Sequence, residues 1–328
     1  MSLALIILII IVVAYDYLNG MNDSGNIVAS MVSSRSLSLR SALLLAAVFE
    51  FIGPLVLGTA VAKTIGSGLV DPAVIDLRIL YAAVLGAITW NLGTQFLGFP
   101  SSSSHALLGG IIGAVAVSAG IKTINFAGVL KILIVLLTSP LLGFLFSYLI
   151  MKLLFYISRN ATPKFNNVFK FLQIPSSIFL AVSHGGNDAQ KSMGIIVIGL
   201  ITCGTQSAFS IPLWVMLLCS FALALGILTG GMKIMKTLGS KVFKVKPIHG
   251  FGIQFSSALV IFSAALIGSP VSTTHVVSSS VIGAGSSVGL NKVRWGTVTD
   301  IILSWVLTLP LSALIAIVFY YGIRYINL

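Results

Sequence analysis

Long apolar stretches fill this chain, and polar side chains interrupt them in only a few short clusters. Runs such as residues 2–18, 41–62, 132–151 and 301–323 each approach the roughly 20 residues that a helix needs to cross a ~30 Å hydrocarbon core. Similar runs recur along the whole length, and none alternates with the period of two that marks an outer-membrane strand. Only helices and closed barrels satisfy every backbone group inside lipid. The pattern therefore predicts an all-α polytopic membrane protein with about 10–12 membrane segments. The start of the chain has neither a basic stretch nor a small-residue cleavage site, so the first apolar run is expected to be a retained span.

The polar clusters come in pairs. Asn22-Asp23-Ser24-Gly25-Asn26 returns as Asn187-Asp188-Ala189-Gln190-Lys191-Ser192, offset by 165 positions, and Pro100-Ser101-Ser102-Ser103-Ser104-His105 returns as Pro270-Val271-Ser272-Thr273-Thr274-His275, offset by 170. At the second offset Thr59 matches Thr229, Lys63 matches Lys233 and Pro140 matches Pro310. A duplicated half is the simplest source of such pairing. It divides the chain into a first membrane repeat at 1–155, a linker at 156–172 holding Asn160, Pro163, Asn166 and Asn167, and a second repeat at 173–328.

Composition agrees with the apolar pattern. Of 328 residues 57% are hydrophobic and 8% charged, against about 25% charged in ordinary soluble domains. The net charge of +12 reads as topology and not as nucleic-acid binding, because Lys and Arg collect in cytoplasmic loops. Arg35 and Arg40 mark one inner loop, Lys152, Arg159, Lys164 and Lys170 the cytoplasmic linker, and Lys233, Lys236, Lys241, Lys244 and Lys246 a third. Residues 63–78 offset their charge with Asp71 and Asp76, and residues 203–210 carry none, so both read as outside. Inside in one half thus matches outside in the other. The halves are expected to be inverted-topology repeats with an odd number of crossings each, about five, and both termini outside. Cys203 and Cys219 have no partner spacing suited to a metal and read as small buried hydrophobes.

The Asn-Asp clusters sit among glycines, which predicts that the helix unwinds there. Broken helices inside a membrane place free carbonyls beside half-helix ends of opposite partial charge. The carboxylates of Asp23 and Asp188 and the side-chain oxygens of Asn22, Asn26 and Asn187 are hard ligands that suit Na⁺ or another alkali ion better than a transition metal. The Ser/Thr clusters follow prolines at expected helix starts, in re-entrant hairpins or paired crossings. Their hydroxyls and unbonded N–H groups make a site for a tetrahedral oxyanion. Intramembrane carboxylates are rare and costly, so Asp23 and Asp188 are functional by default. Glu50 is a candidate proton or cation residue, or else a helix-packing partner. Lys191 is expected to snorkel or to help bind the anion. His105 and His275 are expected to orient their turns through hydrogen bonds. The glycines at 109–113 read as close helix packing.

Three segments resemble the signature stretches of the inorganic phosphate transporter (PiT) family, the type III sodium-dependent phosphate cotransporters, in a short prokaryotic form. They are Gly20-Met21-Asn22-Asp23-Ser24-Gly25-Asn26, His184-Gly185-Gly186-Asn187-Asp188-Ala189-Gln190-Lys191-Ser192 and Pro270-Val271-Ser272-Thr273-Thr274-His275. The chain departs from the family at Met21 and at Ser24-Gly25, where Ala and Val-Ala are usual. The resemblance implies a secondary transporter in the cell membrane that imports inorganic phosphate with Na⁺. It implies Na⁺ on Asn22, Asp23, Asn26, Asn187 and Asp188. It implies phosphate among Ser101, Ser102, Ser103, Ser104, Gln190, Ser192, Ser272, Thr273 and Thr274. It also implies a homodimer, no cofactor beyond the coupling ion, and no enzymatic activity. A proton-coupled phosphate or sulfate permease is the alternative reading. An intramembrane hydrolase using Ser103 or Ser104 with His105, or a passive anion channel, is more remote. The hydrolase lacks the Gly-x-Ser-x-Gly elbow of that chemistry.

Overall fold

A computed structural model describes residues 2–68, 70, 74–162, 164–230 and 232–326. Asp71 and Pro163 lie outside them. Twelve α-helices account for most of these residues: α1 (Leu3–Ser33), α2 (Leu39–Leu57), α3 (Ala60–Gly68), α4 (Leu77–Leu97), α5 (Ser103–Ser118) and α6 (Phe126–Ile157), followed by α7 (Phe165–Thr202), α8 (Leu213–Thr229), α9 (Met232–Lys236), α10 (Pro247–Leu266), α11 (Thr273–Val288) and α12 (Trp295–Tyr325). Five of them, α1, α2, α6, α10 and α12, are long and apolar enough to cross a membrane by themselves, among the described residues. On α6, Leu130, Ile134, Leu137, Leu141, Leu145, Leu149 and Leu153 form an exposed stripe at helical spacing, which water would disfavour and lipid accepts.

The second six helices repeat the first six in order and in kind. Each half closes with a short 3₁₀ turn, 121–123 or 290–292, and then a helix of more than thirty residues with proline inside it, Pro140 in α6 and Pro310 in α12. The packing repeats too. The pairs α2·α7, α5·α12, α4·α12 and α3·α7 have counterparts in α8·α1, α11·α6, α10·α6 and α9·α1. Each half therefore packs on the other as well as on itself, with α10 against α7 and α4 against α5 inside the halves.

Two details differ from the sequence reading. The apolar run 41–62 is not one span. Helix α2 passes through Pro54, which lacks an amide hydrogen, and ends at Leu57, where Gly58 takes a left-handed conformation (φ 76°) before α3 begins. The basic segment at 233–246 is not a free loop either. It forms α9 and a π-helical turn, Thr237–Val242, with Ile234 and Leu238 buried against Ala29 of α1.

Candidate functional site

Helices α5 and α11 start in the same way. Gly98 and Gly268 take left-handed conformations (φ 76° and 68°) that turn the chain out of α4 and α10. Extended residues then lead to Ser102 and Ser272, whose hydroxyls accept from the amides of His105 (3.2 Å) and His275 (3.3 Å). Each is an N-cap bonded to the amide three residues on. His105 Nδ1 adds a 2.8 Å contact to Ser102 Oγ, as expected of a residue that orients its turn, whereas His275 Nε2 has no hydrogen-bond partner among the described residues. The two helix starts face each other: Ser104 Oγ donates to the carbonyl of Val271 (3.0 Å), and the rings of His105 and His275 stand 4.6 Å apart. Trp305 of α12 stacks on His275 and donates to the carbonyl of Pro100 (3.1 Å). Two positive helix ends thus meet at one place.

The Asn-Asp segments come to this place without unwinding. Helices α1 and α7 run unbroken through them, contrary to the helix breaks expected from the glycines. The glycines are used for close approach. A Cβ on Gly20 would stand 2.1 Å from the carbonyl oxygen of Leu223, and one on Gly185 would stand 2.3 Å from that of Glu50. With the backbone fully bonded, side chains supply the free oxygens.

Asp23 Oδ1 accepts from Asn26 Nδ2 (2.5 Å) and Thr274 Oγ1 (2.7 Å). Asp188 Oδ2 accepts from Asn19 Nδ2 and Thr273 Oγ1, both at 3.2 Å, and its Oδ1 from Lys191 Nζ (2.7 Å). His184 lies between two acids, with Nδ1 2.9 Å from Glu50 Oε1 and Nε2 3.9 Å from Asp23 Oδ2. Ligand atoms of Asp23, His184 and Asp188 all fall within 4.8 Å of one another. All of these side chains are buried. The four asparagines at 19, 22, 26 and 187 each donate their amide N–H to a protein acceptor, Asn22 to Asn91 O (3.4 Å) and Asn187 to Ser269 O (3.3 Å). Every one leaves its Oδ1 without a hydrogen-bond partner among the described residues, as does Asp23 Oδ2. Buried oxygens without donors are rare in proteins, and a group of them fits a hard cation.

Other expected residues lie differently. Ser101 pairs with Thr94 of α4 (2.6 Å), and Ser103 offers its carbonyl to the hydroxyl of Tyr15 (3.0 Å). Gln190 accepts from the first amides of α3, Val61 (2.8 Å) and Ala62 (3.1 Å), and donates to Gly186 O. Ser192 donates to Asp16. Neither Gln190 nor Ser192 turns a polar atom toward the α5 and α11 starts through these bonds. Lys191 does not snorkel: it is 1% exposed, held by Asp188, and lines a cavity of about 20 Å³ with Ser104 and Pro270. That space is close to one water. The glycines at 109, 110 and 113 meet the backbones of Leu309, Ala83 and Ala313, as close packing predicts.

Sequence reasoning missed Asp16, Asn19 and the bridging position of His184. Asp16 is fully buried on α1 with one oxygen unpaired, and it lies two turns before Asp23 on the same face. Asn19 and His184 share the offset of Asn22 and Asn187, and that match was the available signal.

The model of the phosphate transporter family matches residues 19–316. The chain belongs to that family. It is 42% identical over 330 residues to a Bacillus subtilis (strain 168) protein named a "probable low-affinity inorganic phosphate transporter", covering 98% of each chain. A Rhizobium meliloti (strain 1021) protein of the same name is 40% identical over 317 residues, with 96% of this chain and 95% of the other covered. A solved structure titled "The sodium-dependent phosphate transporter" superposes with a TM-score of 0.88 at 27% identity, over 99% of this chain and 100% of that one. Membership makes this a multi-pass membrane transporter and not an enzyme. The geometry agrees: Ser104 donates to a carbonyl and His105 serves a cap, so they form no nucleophile and base.

Proposed function

We propose that the protein imports inorganic phosphate together with Na⁺. Phosphate is held by Ser103, Ser104, Thr273, Thr274 and the amides at the α5 and α11 starts, and the cation by Asp23 with the oxygens of Asn22 and Asn26. Asn187 and Asp188 belong to the equivalent second position. Gln190 and Ser192, already bonded to protein partners, are left out.

One observation carries this reading: Thr274 and Thr273, at the anion-facing start of α11, donate to Asp23 and Asp188. A hydroxyl has a single hydrogen. While it points to the carboxylate it is lost to an anion. A cation that takes over the carboxylate oxygen frees that hydrogen for phosphate, which couples the two ions without ATP. A nearby carboxylate acceptor also favours hydrogen phosphate, which can donate, over sulfate, which cannot. The sodium dependence of the solved relative supports Na⁺ as the coupling ion. The packing, which maps onto itself when the halves are exchanged, supports repeats at 1–155 and 173–328 joined through 156–172 and inverted in the membrane.

Purified protein in liposomes tests this. An inward Na⁺ gradient is expected to drive labelled phosphate accumulation that excess sulfate does not compete away. Equal uptake with Na⁺ replaced by choline refutes Na⁺ coupling. A proton-coupled reading is favoured by His184, held between Glu50 and Asp23 like a relay. Accumulation driven by a pH gradient in the absence of Na⁺ would establish it.

A further inference from the structure

The two aspartate sites are built alike but differ in one charge. Asn26 and Lys191 occupy equivalent positions, three residues after Asp23 and Asp188. Each aims a nitrogen at Oδ1 of its own aspartate, Asn26 Nδ2 at 2.5 Å and Lys191 Nζ at 2.7 Å. The rest of the surroundings correspond. Each carboxylate accepts from one threonine of α11 and faces one residue of the other half, His184 for Asp23 and Asn19 for Asp188. The carboxylate oxygens differ, although Asn19 Oδ1 and Asn187 Oδ1 beside Asp188 also have no hydrogen-bond partner among the described residues. Around Asp23, its own Oδ2 and Asn26 Oδ1 have no hydrogen-bond partner. Around Asp188 both carboxylate oxygens are engaged, one by an ammonium. His184 does not restore the balance, since its nearer acid is Glu50.

We infer that Lys191 is a tethered cation that fills at Asp188 the place a coupling ion takes at Asp23, leaving one mobile cation site and one satisfied by the protein itself. A buried aspartate in a membrane needs a positive partner, and Lys191, 1% exposed, forms an ion pair with no acid other than Asp188 among the described residues. An ammonium supplies the charge of an alkali ion while donating hydrogen bonds and needing no ring of oxygens. The two sites therefore respond differently to the ion gradient. Asp23 fills and empties in each cycle, whereas Asp188 stays neutralised. The number of cations moved per phosphate is then set by this one residue.

This rests on cation coupling at Asp23. The test compares wild type with K191N, which reproduces the first site's chemistry in the second, by measuring labelled Na⁺ and phosphate fluxes into the same liposomes. K191N is expected to carry one more Na⁺ per phosphate, with a steeper Na⁺ dependence. A wild-type flux ratio in active K191N overturns the role of Lys191. If wild-type uptake ignores Na⁺, the Na⁺ reading fails separately, and K191N is then expected to gain a Na⁺ dependence; its absence overturns the inference. A second measurement needs no flux. In detergent without phosphate, the Tm of K191M is expected to rise more steeply with Na⁺ than that of wild type, because an ion that binds the folded state stabilises it by mass action. Equal slopes, or failure to recover K191M at any Na⁺ concentration, overturn it.

Discussion

A buried asparagine that donates its amide to the protein leaves its oxygen to whatever else is present, and four do so around Asp23 and Asp188. Replacing Asp23 by Asn swaps a full charge for one more dipole of the kind already there. Na⁺-driven phosphate uptake is expected to fall by about 100-fold, near 2.8 kcal/mol at 1.4 kcal/mol per factor of ten, and initial rates in liposomes measure it. Asp16 supports a different expectation. Asp16 accepts from Ser192 and from the thiol of Cys219, so Ser192→Ala takes the stronger donor from a buried carboxylate and should cost about 1–3 kcal/mol of stability. Thermal unfolding in detergent checks this; an unchanged Tm would mean Asp16 is satisfied elsewhere. Much of the site could be read from the chain at this scale. Asp23, Asp188 and the Ser/Thr clusters announced themselves as polar residues in apolar surroundings, duplicated. Asp16 did not, because the corresponding position in the second half is Ala181, and a residue without a counterpart gives no repeat signal.

Helices are where the pattern of apolar and polar positions misled. Glycines beside polar residues suggested unwinding in α1 and α7, yet both helices continue. A glycine lowers helix stability only modestly, whereas an unwound backbone in lipid must find partners for every freed group. Neighbouring backbone decides the matter, and it belongs to other helices far along the chain. The contrast can be measured. Gly20→Ala puts a methyl 2.1 Å from the carbonyl oxygen of Leu223 and is expected to destabilise by about 1–3 kcal/mol through forced separation of α1 and α8. Gly93→Ala, in α4 with nothing within 4 Å of the new carbon, should be neutral or stabilising by up to about 1 kcal/mol. Tm values for the pair check both. The starts of α5 and α11, by contrast, were legible, because proline and a capping serine act within four residues.

At the level of the whole molecule, each half packs long helices against the other as well as against its own. Helix α5 lies on α12 and α11 on α6, so a chain divided in the 158–162 segment should yield two pieces that fail singly and work together. Separately expressed, each is expected to be degraded; co-expressed, they should restore phosphate uptake to within a few-fold of the intact chain, by initial rate. That interlocking was only partly visible in the chain, since a repeat reveals that two units match but not that they exchange partners. The exchange has a thermodynamic meaning. Any rearrangement that shifts α5 against α12 has a twin, of nearly the same energy, that shifts α11 against α6. Two such forms of one protein would be almost degenerate, and the preference between them would come from the few positions where the halves differ. Asn26 opposite Lys191 is such a position, so a substitution there would be expected to shift the balance between the two forms.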